Sequence, residues 1–223
     1  MPKHTVIIGS YNRPRMVKQA ILSVLGQTVG DFQLIISDDG SNDETQSVIR
    51  SAIRNDPRCL FLTLGQQDDS HVRTDCLRRA VLRINDAIRL VRGEIIHYLA
   101  DDDWYDPMRF SVFDELFMNP EVVVGYGRLT YVDGCGVPDG RTRYPEQVLD
   151  PNGTLDQMQV VHRRKIFERI PEWNPDAIPS DGCFLGNLSG LWRFHGVDKV
   201  VAYKRMHPLN MGNTMAQSTG RRE

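Results

Sequence analysis

The chain has 223 residues, and its 27 lysines and arginines against 29 aspartates and glutamates leave a net charge of −2, which argues against a protein whose main business is neutralising phosphate along a duplex. Hydrophobic residues at 40% and charged residues at 25% exclude disorder, and no run approaches the roughly 18 apolar residues of a membrane span. The first eleven residues lack a secretory pattern and the four cysteines (Cys59, Cys76, Cys135, Cys183) form no CxxC pair, so the expectation is a soluble, cytoplasmic, single-core protein without disulfides or structural zinc.

The first hundred residues alternate strand and helix patterns. Thr5 to Ser10 is a β-branched run, then Val17, Ala20, Ile21, Val24 and Leu25 form one helical stripe. Asn12 and Pro14 can open that helix and Gly26 can close it. A second strand is expected at Phe32 to Ser37, a short helix around Val48, Ile49, Ala52 and Ile53, and a third strand at Cys59 to Leu64. Leu77, Val81, Ile84, Ala87, Ile88 and Val91 give a longer helix ended by Gly93, before a fourth strand at Glu94 to Ala100. Short apolar runs separated by helices are what a parallel sheet covered on both faces requires. After Asp106 the pattern changes. A helix from Pro107 to Asn119 is expected, then a strand from Val122 to Val132, a loop from Asp133 to Gly153, and a strand from Gln157 to His162. A helix from Ser180 to Phe194 and a last strand from Val200 to Met206 follow, with a frayed tail over 212–223.

The densest chemical signal is Asp101-Asp102-Asp103, placed directly after a predicted buried strand. Three adjacent carboxylates repel one another, and a hard divalent cation removes that repulsion. Ligands of open α/β sheets sit at the carboxyl ends of strands, which suits the position. The alternative is an acidic loop capping the next helix, which needs Asp106 but not the triplet. A second signal, Ser37-Asp38-Asp39-Gly40-Ser41, ends the second strand, where a carboxylate can accept from a base N–H or a ribose hydroxyl; Asp-Gly-Ser is equally common turn chemistry. The third, Gly9-Ser10-Tyr11-Asn12-Arg13-Pro14, lacks both the GxGxxG and the GxxxxGK[ST] phosphate loops.

VIIGSYNRP, SVLGQT, DFQLIISDDGSNDET and LADDDWYDP, in this order and spacing, resemble family 2 of the GT-A glycosyltransferases. The N-terminal 50 residues and INDAIRLVRGEIIHY are most similar to the spore-coat polysaccharide glycosyltransferases within it. The resemblance runs from residue 1 to about 118, thins through VVHRRKIFERI and SDGCFLGNL, and lapses towards the C-terminus. It implies an α/β fold with a mostly parallel central sheet flanked by helices and a smaller, mixed acceptor-side half. Residues 1–106 would bind the nucleotide-sugar donor and 107–211 the acceptor, with 212–223 a flexible tail. It places Gly9, Tyr11 and Asp39 on uracil or thymine and ribose. Aligned through Pro107, the family's DxDD puts Ala100 at the first aspartate and Asp102 at the metal-binding one, a departure. Either Asp101 takes over the ribose contact or Asp101 and Asp103 are the working pair, so Asp103 stays a metal candidate beside Asp102. Arg73 and Arg79 lie where the family places a basic side chain near the phosphates or donor sugar; the other account is a solvated helix face.

Inverting transfer needs a carboxylate to take the acceptor hydroxyl's proton. Asp181, in Pro179-Ser180-Asp181-Gly182, matches the family's base, although Ser180 or Asp181 could equally cap a helix; Asp176 and Glu172 are rivals. His207, after the last strand, matches a histidine that completes the metal shell in many GT-A enzymes, or is a surface residue. His97 and His162 lie within strand patterns and read as core or face histidines. Trp104, Trp173 and Trp192 either stack on sugar or pack.

The resemblance implies Mn²⁺ or Mg²⁺, a UDP- or dTDP-sugar donor, and a glycan or other hydroxyl acceptor. A nucleic-acid acceptor is compatible but not favoured, since Arg141, Arg143, Arg163, Arg164 and Lys165 read as a solvated face more than a basic patch. The rival readings are a nucleotidyltransferase making the nucleotide sugar, which normally carries a Gly-rich basic loop that GSYNRPR lacks, and a non-catalytic nucleotide-sugar-binding module, which would have no use for Asp181.

Overall fold

The computed structural model describes residues 1–64, 73–148, 150–177 and 179–207, excepting the side chains of 73–77. The expected tail over 212–223 lies outside the described residues. The elements are β1 (His4–Ser10), α1 (Pro14–Leu25), β2 (Phe32–Asp38), α2 (Asp43–Ile53), β3 (Cys59–Thr63), α3 (Arg73–Ile88), β4 (Ile95–Ala100), β5 (Trp104–Tyr105), α4 (Arg109–Leu116), β6 (Val124–Val132), β7 (Pro138–Arg143), β8 (Val160–Arg163), α5 (Ser180–Ser189) and β9 (Phe194–Arg205). Short 3₁₀ turns at Gln157–Gln159 and Arg164–Glu168 flank β8.

The strand order is β3-β2-β1-β4-β8-β6-β9-β5, with β7 on β6. The first four strands are parallel, β8 runs antiparallel to both β4 and β6, and β9 is again parallel to β6. Because β1 lies between β2 and β4, the strand order reverses there, and a crevice opens at the carboxyl ends of β1 and β4.

Period-2 alternation divides the core between the two faces of the sheet. Val6, Ile8, Leu34, Ile36, Ile95 and Leu99 pack with Val17, Ala20, Ile21 and Val24 of α1 and with Phe110 and Phe113 of α4. Ile7, Ile35, Ile96 and Tyr98 face the other way, onto Val81, Ala87 and Ile88 of α3 and onto Trp173, Phe184 and Leu188. Pro14 stands in the first turn of α1, as expected. Asn12 does not cap that helix: it adopts a left-handed backbone (φ 48) and joins the first two loops. Its N–H donates to Ser41 Oγ at 2.9 Å and its Oδ1 accepts the Asn42 N–H at 2.8 Å.

The second half departs from the expected boundaries. The helix expected to reach Phe194 ends at Ser189, and Phe194 begins β9; partner strand β6, not local pattern, decides this. The expected loop after Asp133 contains β7, whose exposed PDGRTR has no apolar residue to announce a strand. The first residues of the strand expected at Gln157 form a 3₁₀ turn because Asp156 caps it, with its carboxylate on the Met158 N–H and Gln159 on the Asp156 N–H.

Candidate active site

A cleft of about 550 Å³ opens at the carboxyl edge of the sheet and is lined by residues of β1, β2, α3, β4, α5 and β9. At one end is the β2 loop, where the two adjacent aspartates have separate tasks. Asp38 is structural, its carboxylate accepting the Ser41 N–H at 2.9 Å and the Thr63 hydroxyl at 2.9 Å. Asp39 lines the cleft. One of its oxygens lies 2.8 Å from Arg79 Nε, and the other is buried with no hydrogen-bond partner among the described residues. Burial raises the Asp39 pKa while Arg79 opposes the rise. The Arg79 guanidinium also stands 5.4 Å over the Tyr11 ring, so the cation, the aromatic face and the carboxylate form one cluster beside Gly9. A Cβ added at Gly9 would meet nothing within 4 Å.

The aspartate triplet turns at the end of β4, in the middle of the cleft lining. All three carboxylates are buried, at 3–7% exposure, and each is partnered. Asp101 accepts the Tyr11 N–H at 3.0 Å and Arg13 Nη1 at 2.8 Å. Asp102 accepts the same Arg13 nitrogen at 2.9 Å and lies 3.1 Å from His207 Nε2. Asp103 accepts the Arg205 N–H at 2.8 Å. Burial pushes Asp101 up to about 6 and Asp103 well above the ordinary carboxylate range, with Asp102 adding repulsion to each. Among the described residues no group of three or more His, Cys, Asp or Glu side chains is arranged to hold a metal. The Asp102 and His207 pair nevertheless suits a hard cation that takes one or two carboxylates and completes its shell with substrate phosphates and water.

Asp181 heads α5 on the second half of the chain and faces the same cleft. Its carboxylate accepts the Gly182 N–H at 2.9 Å, and burial raises its pKa. The cleft thus brings together Gly9, Tyr11, Asp39, Arg79, the triplet and Asp181, with His207 against Asp102. The side chain of Arg73 lies outside the described residues. Asp176 and Glu172 are exposed, with Arg78 3.0 Å and Arg89 3.9 Å away respectively. Trp104 packs between Tyr203 and Arg205, and buried Trp173 stacks on Phe184. His97 and His162 are core residues at 0% exposure. The basic residues divide: β7 carries Arg143 opposite Leu129, whereas Arg163 joins Val123, about 20 Å away along β6.

Three cleft residues carry no sequence signal of their own: Arg13, Asp156 and Lys204. A buried triplet demands a cation, but nothing local singles out Arg13 from the other basic residues. Lys204 and Asp156 form an ion pair across 48 residues, a relation that no spacing rule reveals.

An open α/β sheet with a carboxylate-lined crevice at its switch point is an architecture that binds nucleotides. The model of glycosyl transferase family 2 matches residues 5–168, and the chain belongs to that family. It is 26% identical to the uncharacterized glycosyltransferase alr2836 of Nostoc sp., over 99% of this chain and 70% of that one. It is 33% identical to protein CgeD of Bacillus subtilis, over 89% of this chain and 49% of that one. Among solved structures, S. aureus TarS 1-349 in complex with UDP superposes with a TM-score of 0.73 at 18% identity, covering 92% of this chain and 61% of that chain. The mannosyltransferase PcManGT from Pyrobaculum calidifontis, in complex with GDP-Man and Mn²⁺, gives 0.65 at 16%, covering 94% and 58%. The fold is therefore GT-A, and the chain spans about half to two thirds of the length of most of these relatives.

Proposed function

We propose that the protein is a metal-dependent inverting glycosyltransferase that moves a sugar from a UDP- or dTDP-sugar to an acceptor hydroxyl, with Asp181 as the general base. The observation that carries this reading is the single cleft shared by Asp39, the triplet and Asp181. Among the described residues Asp39 has a buried oxygen without a hydrogen-bond partner, and the N3–H of uracil or thymine is a donor of the right kind. The Tyr11 ring and Arg79 complete a base and phosphate pocket at that end. Asp102 and His207 would hold the cation, with Asp103 as a further candidate and Asp101 fixing the loop of Tyr11. A divalent cation supplies charge neutralisation as the diphosphate leaves. Asp181, its pKa raised by burial, takes the acceptor proton as the hydroxyl attacks the anomeric carbon opposite the leaving group.

The presence of PcManGT's Mn²⁺ and TarS's UDP in neighbours of the same fold supports the cation and the nucleotide. Membership of glycosyl transferase family 2 supports a glycan acceptor. Calorimetry of UDP and dTDP with Mn²⁺ or with EDTA tests the reading without an acceptor. Binding should weaken at least tenfold in EDTA; equal affinity under both conditions sinks the metal dependence.

A further inference from the structure

The cleft contains an ion pair that the reading above leaves unused. Lys204, on β9, points its ammonium at Asp156, and both line the cleft with Asp103 and Asp181. Asp156 is held rigidly. One of its oxygens accepts the Met158 N–H at 3.2 Å, its own N–H donates to Gln159 Oε1 at 3.0 Å, and its other oxygen accepts from Lys204. Its loop packs against the head of α5, where a Cβ on Gly182 would fall 2.3 Å from Asn152 Oδ1. The residue after Lys204 donates its N–H to Asp103. The pair therefore sits between the end of the triplet and the head of α5. Its field reaches both, since Lys204 lowers and Asp156 raises the pKa of Asp103 and of Asp181.

We propose that the Lys204–Asp156 pair is the hydroxyl-binding subsite for the transferred sugar, and that this sugar is an uncharged hexose or N-acetylhexosamine and not a uronic acid. The inference rests on the donor-to-base arrangement proposed above, because a sugar passing from diphosphate to acceptor must lie between the triplet and Asp181. An ammonium has three donors and a carboxylate has several acceptor positions. A clamped pair of the two offers both kinds of partner to vicinal hydroxyls, and a site built this way rejects a sugar that lacks them. The charge balance selects against a carboxylate on the sugar. Arg13 is taken up by Asp101 and Asp102, and Lys204 by Asp156. The other cations that line the cleft among the described residues, Arg79 and Arg83, are paired with Asp39 and Asp86, and a sugar carboxylate would be desolvated beside Asp103 and Asp181.

The test compares UDP, UDP-glucose, UDP-N-acetylglucosamine and UDP-glucuronate (and dTDP with dTDP-glucose) by calorimetry with Mn²⁺, on the parent, Lys204→Met and the paired Lys204→Met/Asp156→Leu variant. The paired variant guards against misfolding, since it leaves no buried charge alone. The parent should bind at least one neutral sugar nucleotide tenfold or more tighter than UDP-glucuronate. Both variants should keep the parent's affinity for the bare nucleotide and weaken the preferred sugar nucleotide about tenfold. Equal losses for nucleotide and sugar nucleotide would put Lys204 on the diphosphate and overturn the proposal, as would unchanged sugar-nucleotide binding or a preference for the uronate. If the parent binds none of the nucleotides, the donor reading fails instead, which is a separate result.

Discussion

At the scale of single residues, the division of labour between Asp38 and Asp39 shows how burial assigns chemistry. Asp38 ends β2 and Asp39 follows it, yet one is consumed by a turn and the other, among the cleft-lining residues, keeps a buried oxygen without a hydrogen-bond partner among the described residues. Asp39→Asn replaces an acceptor with an amide beside Arg79. It should weaken UDP binding by about 1–3 kcal/mol, the usual range for mismatching a buried hydrogen bond to a charged group. Titration of UDP into both proteins checks this, and a parent that binds GDP or CMP as tightly as UDP and dTDP would refute the base assignment. On the proposed reading Asp181 belongs to the chemical step. Asp181→Asn is nearly isosteric but cannot accept the proton, so kcat should fall by about 10²–10⁴-fold while the donor Kd stays near the parent's. Full activity in the variant would move the base elsewhere, and product NMR showing retention would exclude a single-base inversion.

At the scale of elements, close approach between neighbouring strands fixes what the sequence could leave open. Gly93 precedes β4, and a Cβ there would fall 2.5 Å from the His4 carbonyl carbon and 2.6 Å from the Thr5 nitrogen. Its N–H also donates to Thr5 Oγ1 at 2.8 Å. Gly93→Ala must displace the β1 backbone, so urea unfolding should show a loss of roughly 1–3 kcal/mol or more. Gly9→Ala, whose Cβ meets nothing, should stay close to the parent. Equal stability of the two variants would contradict this account. β1, β2, β4 and the three helices were legible because they are buried on both faces or one, and the half-buried edge strand β3 because its short run is apolar, so period and composition reported them directly. β7 and the start of β9 were not, since their residues are largely exposed and gain strand structure by pairing with β6. Two-residue β5 exists only through its register with Tyr203 and Ala202.

At the scale of the whole molecule, buried histidines make the sheet's centre sensitive to acid. His97 Nδ1 accepts from Arg109 Nε at 3.1 Å, its Nε2 meets His4 Nδ1 at 3.0 Å, and His4 Nε2 lies 3.1 Å from Asp114. His162 sits apart, with Nδ1–H on the Arg163 carbonyl and Nε2 on the Tyr98 hydroxyl. Burial lowers His4 and His162 to about 4 and His97 well below the ordinary value. A lowered histidine pKa means that the unfolded chain binds more protons, so its contribution is whole above pH 6.5 and is lost as pH falls towards 4. Asp101 and Asp103 in the cleft run the other way, because they are raised and the folded state takes up their protons first. The clean measurement is therefore a difference. Stability of the parent should fall more steeply between pH 6.5 and 4 than that of His162→Gln, by about 3 kcal/mol at the acid limit. Parallel profiles would show that His162 is not buried in its neutral form.

By itself, the sequence determined the parallel α/β half, the carboxyl-edge positions of Gly9, Asp39 and the triplet, and the family to which the chain belongs. These follow from local pattern, because a buried strand announces itself and its carboxyl end is where an open sheet places its ligands. The resemblance already named Asp39 and His207; only the tertiary structure decided that Asp38 is consumed by a turn, that Arg13 straps Asp101 to Asp102, and that His207 lies 3.1 Å from Asp102. It likewise brought Asp181 into the cleft that the triplet lines and joined Lys204 to Asp156. The physical reason is the same in each case: ion pairs and clefts form between segments that the chain brings together only once β4, β8, β6 and β9 have closed one sheet, and charge carries no periodicity from which such a meeting could be read.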